Sequence, residues 1–252
     1  MKICSLYSGS SGNCYYIEAQ GAKILIDAGR NARALCTSLE SIGASIENID
    51  AIFITHEHID HICALGTISK KYHIPIHATE KCAQAICEKY ESAAPVLYTH
   101  EPLFSVSVGD LLISSFLTSH DCVCPVGYCF SSDGFRAGLL TDSGIVTNSA
   151  AESLKGCSTV IIEANHDINM LKNGVYPYYL KERVASRFGH LSNDTCARFA
   201  SYLAENGTKS FLLAHLSAEN NSPELAFNTV SSALDGYACE IKVSSPKDPV
   251  FI

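Results

Sequence analysis

The sequence predicts an α/β fold that forms one domain over residues 1–252. Short apolar runs with β-branched residues, which are typical of buried strands, alternate with segments in which apolar residues recur at helical spacing. The segments 24–29 and 139–144 share one pattern, in which an apolar strand leads into an aspartate and a glycine. A length of 252 residues provides enough buried surface for one large core of this class.

The first half of the chain is expected to begin with a hairpin. Residues 3–7 and 15–19 have strand patterns, and the Ser/Gly-rich turn 8–13 lies between them. A turn of this composition also presents backbone N–H groups to a phosphate in some proteins, so both roles stay open, with the hairpin favoured. The elements expected next are strand 23–29, helix 31–42, strand 51–54, helix 62–72, strand 75–78, helix 80–90 and two strands within 103–118.

The second half is expected to begin with a hairpin over 128–130 and 135–140, because the turn 131–134 combines Ser, Asp and Gly. Residues 168–188 carry apolar and aromatic residues interleaved with lysines and arginines. Both a solvated amphipathic helix and a segment that tracks a nucleic-acid strand fit this composition. Asn193 is expected to cap the next helix. The remaining elements are strand 160–163, helix 193–205, strand 210–215, helix 223–234 and strands 240–243 and 250–252.

The composition is that of a soluble globular protein, with 47% apolar and 17% charged residues. No apolar run reaches the roughly 18 residues of a membrane span, and the N-terminus lacks signal-peptide features, so we expect a cytoplasmic protein without a membrane partner. The twelve scattered cysteines are expected to be free thiols. The net charge of −8 argues against unspecific nucleic-acid binding but is compatible with a metal-dependent phosphodiesterase, whose ions supply positive charge.

The segment 55–61, Thr-His-Glu-His-Ile-Asp-His, gathers potential metal ligands directly after the strand expected at 51–54. In α/β proteins the ends of strands are where functional sites are placed. Imidazole and carboxylate groups are ligands of divalent metals such as zinc and manganese. The first two histidines are two residues apart, so in an extended turn they point the same way. The following aspartate and histidine stand where a helix is expected to begin and would face a second ion.

This HxHxDH motif resembles that of the metallo-β-lactamase superfamily. The motifs at 8–14, 163–167 and 189–193 narrow the resemblance to the bacterial YycJ/WalJ branch, which is similar to RNase Z and to the DNA-processing members of the superfamily. The resemblance covers nearly the whole chain. It implies the metallo-β-lactamase fold, a pseudo-twofold αβ/βα four-layer sandwich.

The resemblance also implies the ligands of two divalent metal ions. The matching positions are His56, His58 and His120 for one ion, Asp60, His61 and His215 for the other, and Asp142 as the bridging carboxylate. Two ions held this way lower the pKa of a shared water, and Asp60 is expected to orient the resulting hydroxide. The ligand set accepts zinc, manganese or iron, so the sequence leaves the metal open.

Four further residues are expected to act beside these ligands. Asp27 matches the aspartate that supports the histidine cluster from behind in the superfamily. Glu163 and His166 are expected to support ligands or contact the substrate. His190 matches a histidine that RNase Z-like enzymes place over the scissile phosphate, so we expect it to bind the phosphate or to protonate the leaving oxygen.

The implied function is that of a metal-dependent phosphodiesterase acting on nucleic acid, with DNA favoured and a 5′→3′ exonuclease as the model. One alternative is a hydrolase of a small ester, lactone, thioester or cyclic nucleotide on the same metal core. The other is a non-catalytic regulatory module, which the filled ligand positions disfavour. The chain lacks the long clamp insertion that RNase Z uses for tRNA, which argues against tRNA processing. The oligomeric state stays open.

Overall fold

The computed structural model describes residues 1–252 and contains two seven-stranded mixed sheets and nine α-helices. The predicted α/β class is therefore confirmed. The chain divides into two compact units, each defined here by its residues. Unit 1 comprises Met1–Ser115, Cys122–Val126 and Ser245–Phe251, and unit 2 comprises Phe116–Asp121, Gly127–Ser244 and Ile252.

The first sheet has the strand order β14-β1-β2-β3-β4-β5-β6 and lies in unit 1. Its strands are β1 (Lys2–Tyr7), β2 (Cys14–Ala19), β3 (Ala22–Ile26), β4 (Ala51–Phe53), β5 (Ile76–Thr79), β6 (Leu97–His100) and β14 (Val250–Phe251). The strands β3 to β6 run parallel to one another, whereas β14, β1, β2 and β3 alternate in direction. The turn 8–13 joins two antiparallel strands, which confirms the predicted hairpin.

The second sheet has the strand order β13-β12-β11-β10-β9-β8-β7. Its strands are β7 (Ser105–Val108), β8 (Leu111–Leu117), β9 (Val126–Ser132), β10 (Phe135–Leu140), β11 (Thr159–Glu163), β12 (Ser210–Ala214) and β13 (Glu240–Val243). The strands β10 to β13 are parallel, and β9 pairs with β10 in the predicted hairpin. Strand β11 is buried along its whole length, as expected for a parallel strand covered on both faces.

The nine helices follow the predicted segments closely, with one addition and two divisions. They are α1 (Ala32–Ser41), α2 (Ile59–Ile62), α3 (Leu65–Tyr72), α4 (Glu80–Lys89), α5 (Asn148–Leu154), α6 (Ile168–Asn173), α7 (Tyr178–Ala185), α8 (Asn193–Glu205) and α9 (Pro223–Ala233). Two 3₁₀ helices cover Ile46–Asn48 and Glu91–Val96. None of the helices is both long and apolar enough to cross a membrane.

Each unit has its own apolar core, formed where amphipathic helices cover a sheet. In unit 1, Leu35 and Leu39 are four residues apart on one face of α1, and both are fully buried. In unit 2, Phe199 and Leu203 have the same spacing on α8 and pack into the core of that unit. All twelve cysteines are free thiols, as predicted, and most line these cores as small apolar residues.

The helix predicted over 62–72 is divided into α2 and α3. The break lies at Cys63 and Ala64, where the backbone N–H of Ala64 donates to the carbonyl of Ala28 instead of to a carbonyl within the helix. This tertiary hydrogen bond holds α2 against the end of β3 and ends the short helix after one turn. The sequence pattern does not reveal it, because the apolar spacing continues across the break.

The segment before α8 and the cap of that helix both differ from what the sequence suggested. The single amphipathic helix considered for 168–188 is two helices, because Gly174 and Pro177 interrupt the pattern between α6 and α7. The cap of α8 is Ser192, whose hydroxyl accepts from the N–H of Thr195 at 3.2 Å. Asn193 is buried instead and pairs its side-chain amide with Asn221 at 2.9 Å, a contact that no local pattern indicates.

His77 and His100 on neighbouring strands form a hydrogen-bonded pair, with Nδ1 of His77 2.9 Å from Nε2 of His100. The ring of His77 stacks on Phe53 with centroids 4.6 Å apart. Burial, and to a lesser extent the charge of His100, lower the pKa of His77 from 6.5 to about 4. The folded protein therefore favours the neutral ring.

A pH-dependent loss of stability follows from this pair. The stabilisation from neutral His77 is complete above pH 6.5 and is lost as the pH falls towards 4, because the unfolded chain binds the proton first. Allowing for solvent screening, we expect His77→Gln to reduce the fall in unfolding free energy across this range by about 1–2 kcal/mol. Denaturant titrations at pH 7, 5.5 and 4.5 measure this, with the exposed His73→Gln as control. Parallel profiles of wild type and His77→Gln would contradict it.

Candidate metal centre

The histidines of segment 55–61 gather at the end of β4 in unit 1. His58 has extended backbone angles (φ −62°, ψ 148°), and α2 begins at the next residue. The ring centroid of His56 lies 4.6 Å from that of His58 and 4.0 Å from that of His61. The carboxylate of Asp60 lies 3.4 Å from Nε2 of His61. The structure therefore brings together the four candidate ligands that the sequence placed in this motif.

Asp27 holds this group from the end of β3. Its carboxylate accepts hydrogen bonds from the backbone N–H and the hydroxyl of Thr55, both at 2.8 Å, and lies 2.8 Å from Nδ1 of His61. The Thr55 hydroxyl also lies 3.0 Å from Nδ1 of His56, so a single threonine joins both rings to the aspartate. Burial raises the pKa of Asp27, and the contact with His61 opposes that shift. Thr55 had no assigned role in the sequence, although it directly precedes the motif.

Asn13 is a second residue with a role that sequence reasoning missed. Its side-chain nitrogen lies 3.1 Å from Nε2 of His61 and 3.3 Å from a carboxylate oxygen of Asp60. Its side-chain oxygen accepts from the backbone N–H of Gly9 at 2.9 Å, which fixes the orientation of the amide. The only signal in the sequence was the Ser/Gly-rich turn 8–13, of which Asn13 is the last residue.

Two glycines allow the close backbone approach that this arrangement requires. A Cβ on Gly29 would lie 1.6 Å from the carbonyl oxygen of Asp60, which there accepts from the backbone N–H of Asn13. In unit 2, a Cβ on Gly144 would lie 2.3 Å from the carbonyl oxygen of Ser186. These are the glycines of the two repeated segments, so a strand, an aspartate and a tightly packed glycine recur in both units.

The candidate residues of unit 2 form a second group, which we call the unit 2 cluster: His120, Asp142, Glu163, His190 and His215. One carboxylate oxygen of Asp142 lies 3.3 Å from Nδ1 of His215, 3.7 Å from Nδ1 of His190 and 3.9 Å from Nε2 of His120. Except for His190, these side chains are buried. Ligand atoms of Asp142, Glu163, His190 and His215 all lie within 4.8 Å of one another.

Glu163 orients the cluster, because hydrogen bonds from the protein use both of its oxygens. One oxygen accepts from Nδ1 of His190 at 2.7 Å and of His215 at 2.9 Å. The other accepts from the backbone N–H groups of Ser143 at 3.0 Å and Leu191 at 3.1 Å. A carboxylate offers about four acceptor positions, so all are occupied. Burial alone would raise the pKa of Glu163, but His190 and His215 outweigh it and hold the pKa below its usual range.

The remaining two histidines of unit 2 are also positioned by their backbone surroundings. Nδ1 of His120 donates to the carbonyl of Gly189 at 3.0 Å, and burial lowers the pKa of this ring although Asp142 opposes the shift. His166 is buried beside the start of α8, and its carbonyl accepts from the N–H of Asn193 at 2.8 Å. Burial lowers the pKa of His166 to about 4.

Three candidate residues that follow strands share an uncommon backbone conformation. Asp27, Asp142 and His215 have φ values of 62°, 54° and 54°. A positive φ is uncommon for residues other than glycine and is tolerated best by aspartate, asparagine and histidine. Such strained positions cluster at functional sites because they aim a side chain that a regular strand would direct elsewhere.

The hydrogen bonds of the rings fit metal binding. The Nδ1 atoms of His61, His120 and His215 each face an oxygen acceptor, namely Asp27, Gly189 and Glu163. In the neutral form, a ring that donates from Nδ1 carries its lone pair on Nε2, the arrangement found in histidine ligands oriented by carboxylates or carbonyls. Imidazole and carboxylate donors of this kind suit zinc, manganese and iron.

Comparison with known proteins places this geometry in a family. The model of the β-lactamase superfamily domain matches residues 22–216. The chain belongs to the metallo-β-lactamase superfamily. The metallo-β-lactamase fold protein YhfI of Bacillus subtilis superposes on it with a TM-score of 0.73, covering 100% of this chain and 98% of the other at 17% identity. The metallo-β-lactamase fold class predicted from the sequence is thereby confirmed.

Two curated relatives within this superfamily are similar over nearly their whole length. Exodeoxyribonuclease WalJ of Streptococcus pneumoniae is 40% identical over 237 residues, which cover 92% of this chain and 88% of the relative. Exodeoxyribonuclease YycJ of Bacillus anthracis is 36% identical over 257 residues, which cover 98% and 96%. The predicted resemblance to the YycJ/WalJ branch is confirmed. Membership of this metallo-β-lactamase family, together with the His/Asp donor set, indicates that the protein uses divalent metal.

Asp27→Ala is expected to weaken metal binding and stability together. It removes the acceptor of His61 and of both Thr55 donors, all of which are buried. We expect a loss of about 2–4 kcal/mol of unfolding free energy with chelator present and a 10–100-fold lower metal affinity. Denaturation and competitive metal titration measure the two effects. Asp50→Ala, which removes an exposed carboxylate that accepts from the N–H of Lys23, serves as control. Unchanged metal affinity in Asp27→Ala would contradict the orienting role.

Proposed function

We propose that this protein is a metal-dependent exodeoxyribonuclease that hydrolyses phosphodiester bonds in DNA. The observation that carries the proposal is the 40% identity to exodeoxyribonuclease WalJ over 92% of this chain. Two relatives with that activity in their names, similar over nearly the full length, confirm the prediction of a metal-dependent nuclease made from the sequence motifs. They do not favour the alternative of a small-ester or lactone hydrolase.

We further propose that two divalent ions, zinc or manganese, with iron also compatible, are bound by the seven predicted ligands. These are His56, His58, Asp60, His61, His120, Asp142 and His215. When bound, such ions polarise the phosphodiester and supply hydroxide at neutral pH. Two observations support this assignment. The histidine rings are oriented by neighbouring oxygen atoms, namely those of Asp27, Thr55, Glu163 and the Gly189 carbonyl. Donors of the protein occupy both oxygens of Glu163, so Asp142 is the carboxylate of the unit 2 cluster that is suited to bind metal.

His190 is proposed to act on the leaving group. Glu163 accepts from its Nδ1, so Nε2 is the ring atom directed away from Glu163 and suited to contact a substrate. Its side chain is partly exposed, at 18%, whereas the other members of the unit 2 cluster are almost fully buried. As the P–O bond to the leaving oxygen breaks, a proton from Nε2 neutralises that oxygen.

The experiment that tests the proposed function uses the purified full-length protein loaded with Mn²⁺ or Zn²⁺. End-labelled single- and double-stranded DNA, RNA of the same sequence and bis(p-nitrophenyl) phosphate serve as substrates. We expect stepwise shortening of DNA from an end, abolished by chelator and restored by metal. Hydrolysis of lactones or thioesters without any cleavage of DNA would contradict the proposal. That result would support a hydrolase of small esters instead.

A further inference from the structure

A pocket of about 570 Å³ in unit 2 lies beside the unit 2 cluster and has no role in the function described so far. His190 lines this pocket and also belongs to the group of ligand atoms within 4.8 Å of one another. A molecule in the pocket therefore lies next to the proposed chemistry. The volume is within the range of about 300–1,000 Å³ that is common for pockets of small organic ligands.

The lining combines cationic and apolar side chains. Lys172 and Lys181 contribute two positive charges, and Glu182 contributes one negative charge. The ammonium group of Lys181 donates to the carbonyl of Lys172 at 2.9 Å, and neither lysine forms an ion pair within the protein. Apolar surface comes from side chains of α6 and from Tyr178, whose ring is 77% exposed. Most of these residues belong to the segment 168–188, whose interleaved basic and aromatic residues are compatible with nucleic-acid contact.

His166 provides an independent observation. The residue is among those that line the pocket, and it is only 3% exposed. Its Nδ1 forms no hydrogen bond within the protein, although buried polar atoms are almost always paired. The hydroxyl-bearing residues Ser192 and Thr195 line the same pocket. The pocket is therefore lined by hydroxyl-bearing residues, by a buried histidine with an unpaired Nδ1 and by surplus positive charge.

We propose that this pocket binds the terminal nucleotide of the DNA strand that is cleaved, with the base on Tyr178 and the apolar residues of α6 and the terminal phosphate at Lys172 and Lys181. The inference rests on the proposed function, because a nuclease that removes residues from an end must hold one nucleotide beyond the bond it breaks. A nucleotide matches the pocket in each property: an aromatic base that stacks, a sugar with hydrogen-bonding groups and an anionic phosphate. A free inorganic phosphate would leave the apolar surface unused.

The pocket is tested with two esters of thymidine 5′-phosphate that both lose an alkoxide. In 5′-phosphorylated dithymidine the leaving group is a terminal nucleotide with its own phosphate, whereas in thymidine 5′-(methyl phosphate) it is methoxide. With metal-loaded full-length protein, we expect kcat/KM to be at least about tenfold higher for the dithymidine ester, equivalent to about 1.4 kcal/mol. Tyr178→Ala and Lys172→Ala should each lower this ratio about fivefold or more. Both side chains are exposed, so these variants should fold.

Matched controls are available in the same unit. Tyr179→Ala removes the neighbouring tyrosine, which is 73% exposed and does not line the pocket, and Lys209→Ala removes an exposed lysine elsewhere in unit 2. Neither should change the ratio. An equal efficiency for both esters in the wild type, or a ratio that Tyr178→Ala and Lys172→Ala leave unchanged, would overturn the inference while the proposed nuclease function stands.

A binding measurement separates the inference from the proposed function. Calorimetric titration of the metal-loaded protein with thymidine 5′-monophosphate should give a dissociation constant that Tyr178→Ala raises about fivefold or more, whereas binding of inorganic phosphate should not depend on Tyr178. If the wild type cleaves neither ester but nucleotide binding still weakens in the variant, the pocket is supported and the nuclease function is wrong. If nucleotide binding is the same in wild type and variant, the pocket assignment is wrong.

Discussion

Replacing Asp142 by alanine is expected to remove bound metal and to lower DNA cleavage by about 10³-fold or more. In the unit 2 cluster, one oxygen of this buried carboxylate lies 3.3–3.9 Å from ring nitrogens of His215, His190 and His120. Glu163 cannot replace it, because its acceptor positions are filled by four donors of the protein. Removing the charge at this point takes away the proposed bridging ligand and the electrostatic stabilisation that depends on it.

The measurement for Asp142→Ala combines elemental analysis with an end-labelled DNA assay. Asp235→Ala, an exposed aspartate of the same unit, is the control and should retain full metal content and activity. A thermal melt in chelator shows whether the variant is folded. A folded Asp142→Ala protein with wild-type metal content would contradict the assignment of Asp142 as a ligand.

His190→Ala is expected to keep the metal and lower kcat on DNA by about 10²–10⁴-fold, the usual contribution of a general acid. The leaving oxygen of DNA requires a proton, whereas p-nitrophenolate is stable without one. Cleavage of bis(p-nitrophenyl) phosphate should therefore be much less sensitive to the substitution than cleavage of DNA. His190 is the partly exposed member of the unit 2 cluster, so its truncation should affect folding little.

Metal analysis of the same variant distinguishes two roles for His190. The geometry groups its ring with potential ligand atoms of Asp142, Glu163 and His215. Loss of metal in His190→Ala would make it a ligand and would contradict the general-acid role. If His190→Ala cleaved DNA at the wild-type rate, His190 would be a loop residue without a role in catalysis. The exposed His73→Ala serves as control for a histidine outside the site.

The strands and most candidate residues were predictable because both signals are local. A short β-branched run followed by a ligand-type residue marks the end of a buried strand, and Asp27, Asp142 and His215 all stand at such ends. The two segments that share the pattern of strand, aspartate and glycine also match in backbone conformation, because Asp27 and Asp142 both have a positive φ. These features depend on residues adjacent in the chain, which a pattern detects.

The features that were not predicted depend on contacts between distant segments. Ser192 and Asn193 are both good cap residues, and only the pairing of Asn193 with Asn221 decides between them. The contact of Asn13 with His61 joins residues 48 positions apart. The full engagement of Glu163 requires four donors from separate parts of unit 2. No periodicity or spacing reveals such tertiary hydrogen bonds.

The single-domain prediction and the set of seven metal ligands remain proposals, as do the number of ions and a cytoplasmic location. The ligand set has the most direct consequence for function. In each unit the candidate ligands are oriented by a buried carboxylate, Asp27 or Glu163, which indicates that their geometry is held before any substrate binds.

Metal titration of DNA cleavage tests the central claim most directly. Full-length protein is stripped with chelator, dialysed and given increasing Mn²⁺ or Zn²⁺, and the rate of shortening of end-labelled DNA is recorded at each metal content. The account predicts no cleavage without metal and a rate that rises until about two equivalents per chain are bound. Cleavage that persists in the stripped protein, or no cleavage of DNA at any metal content, would contradict it.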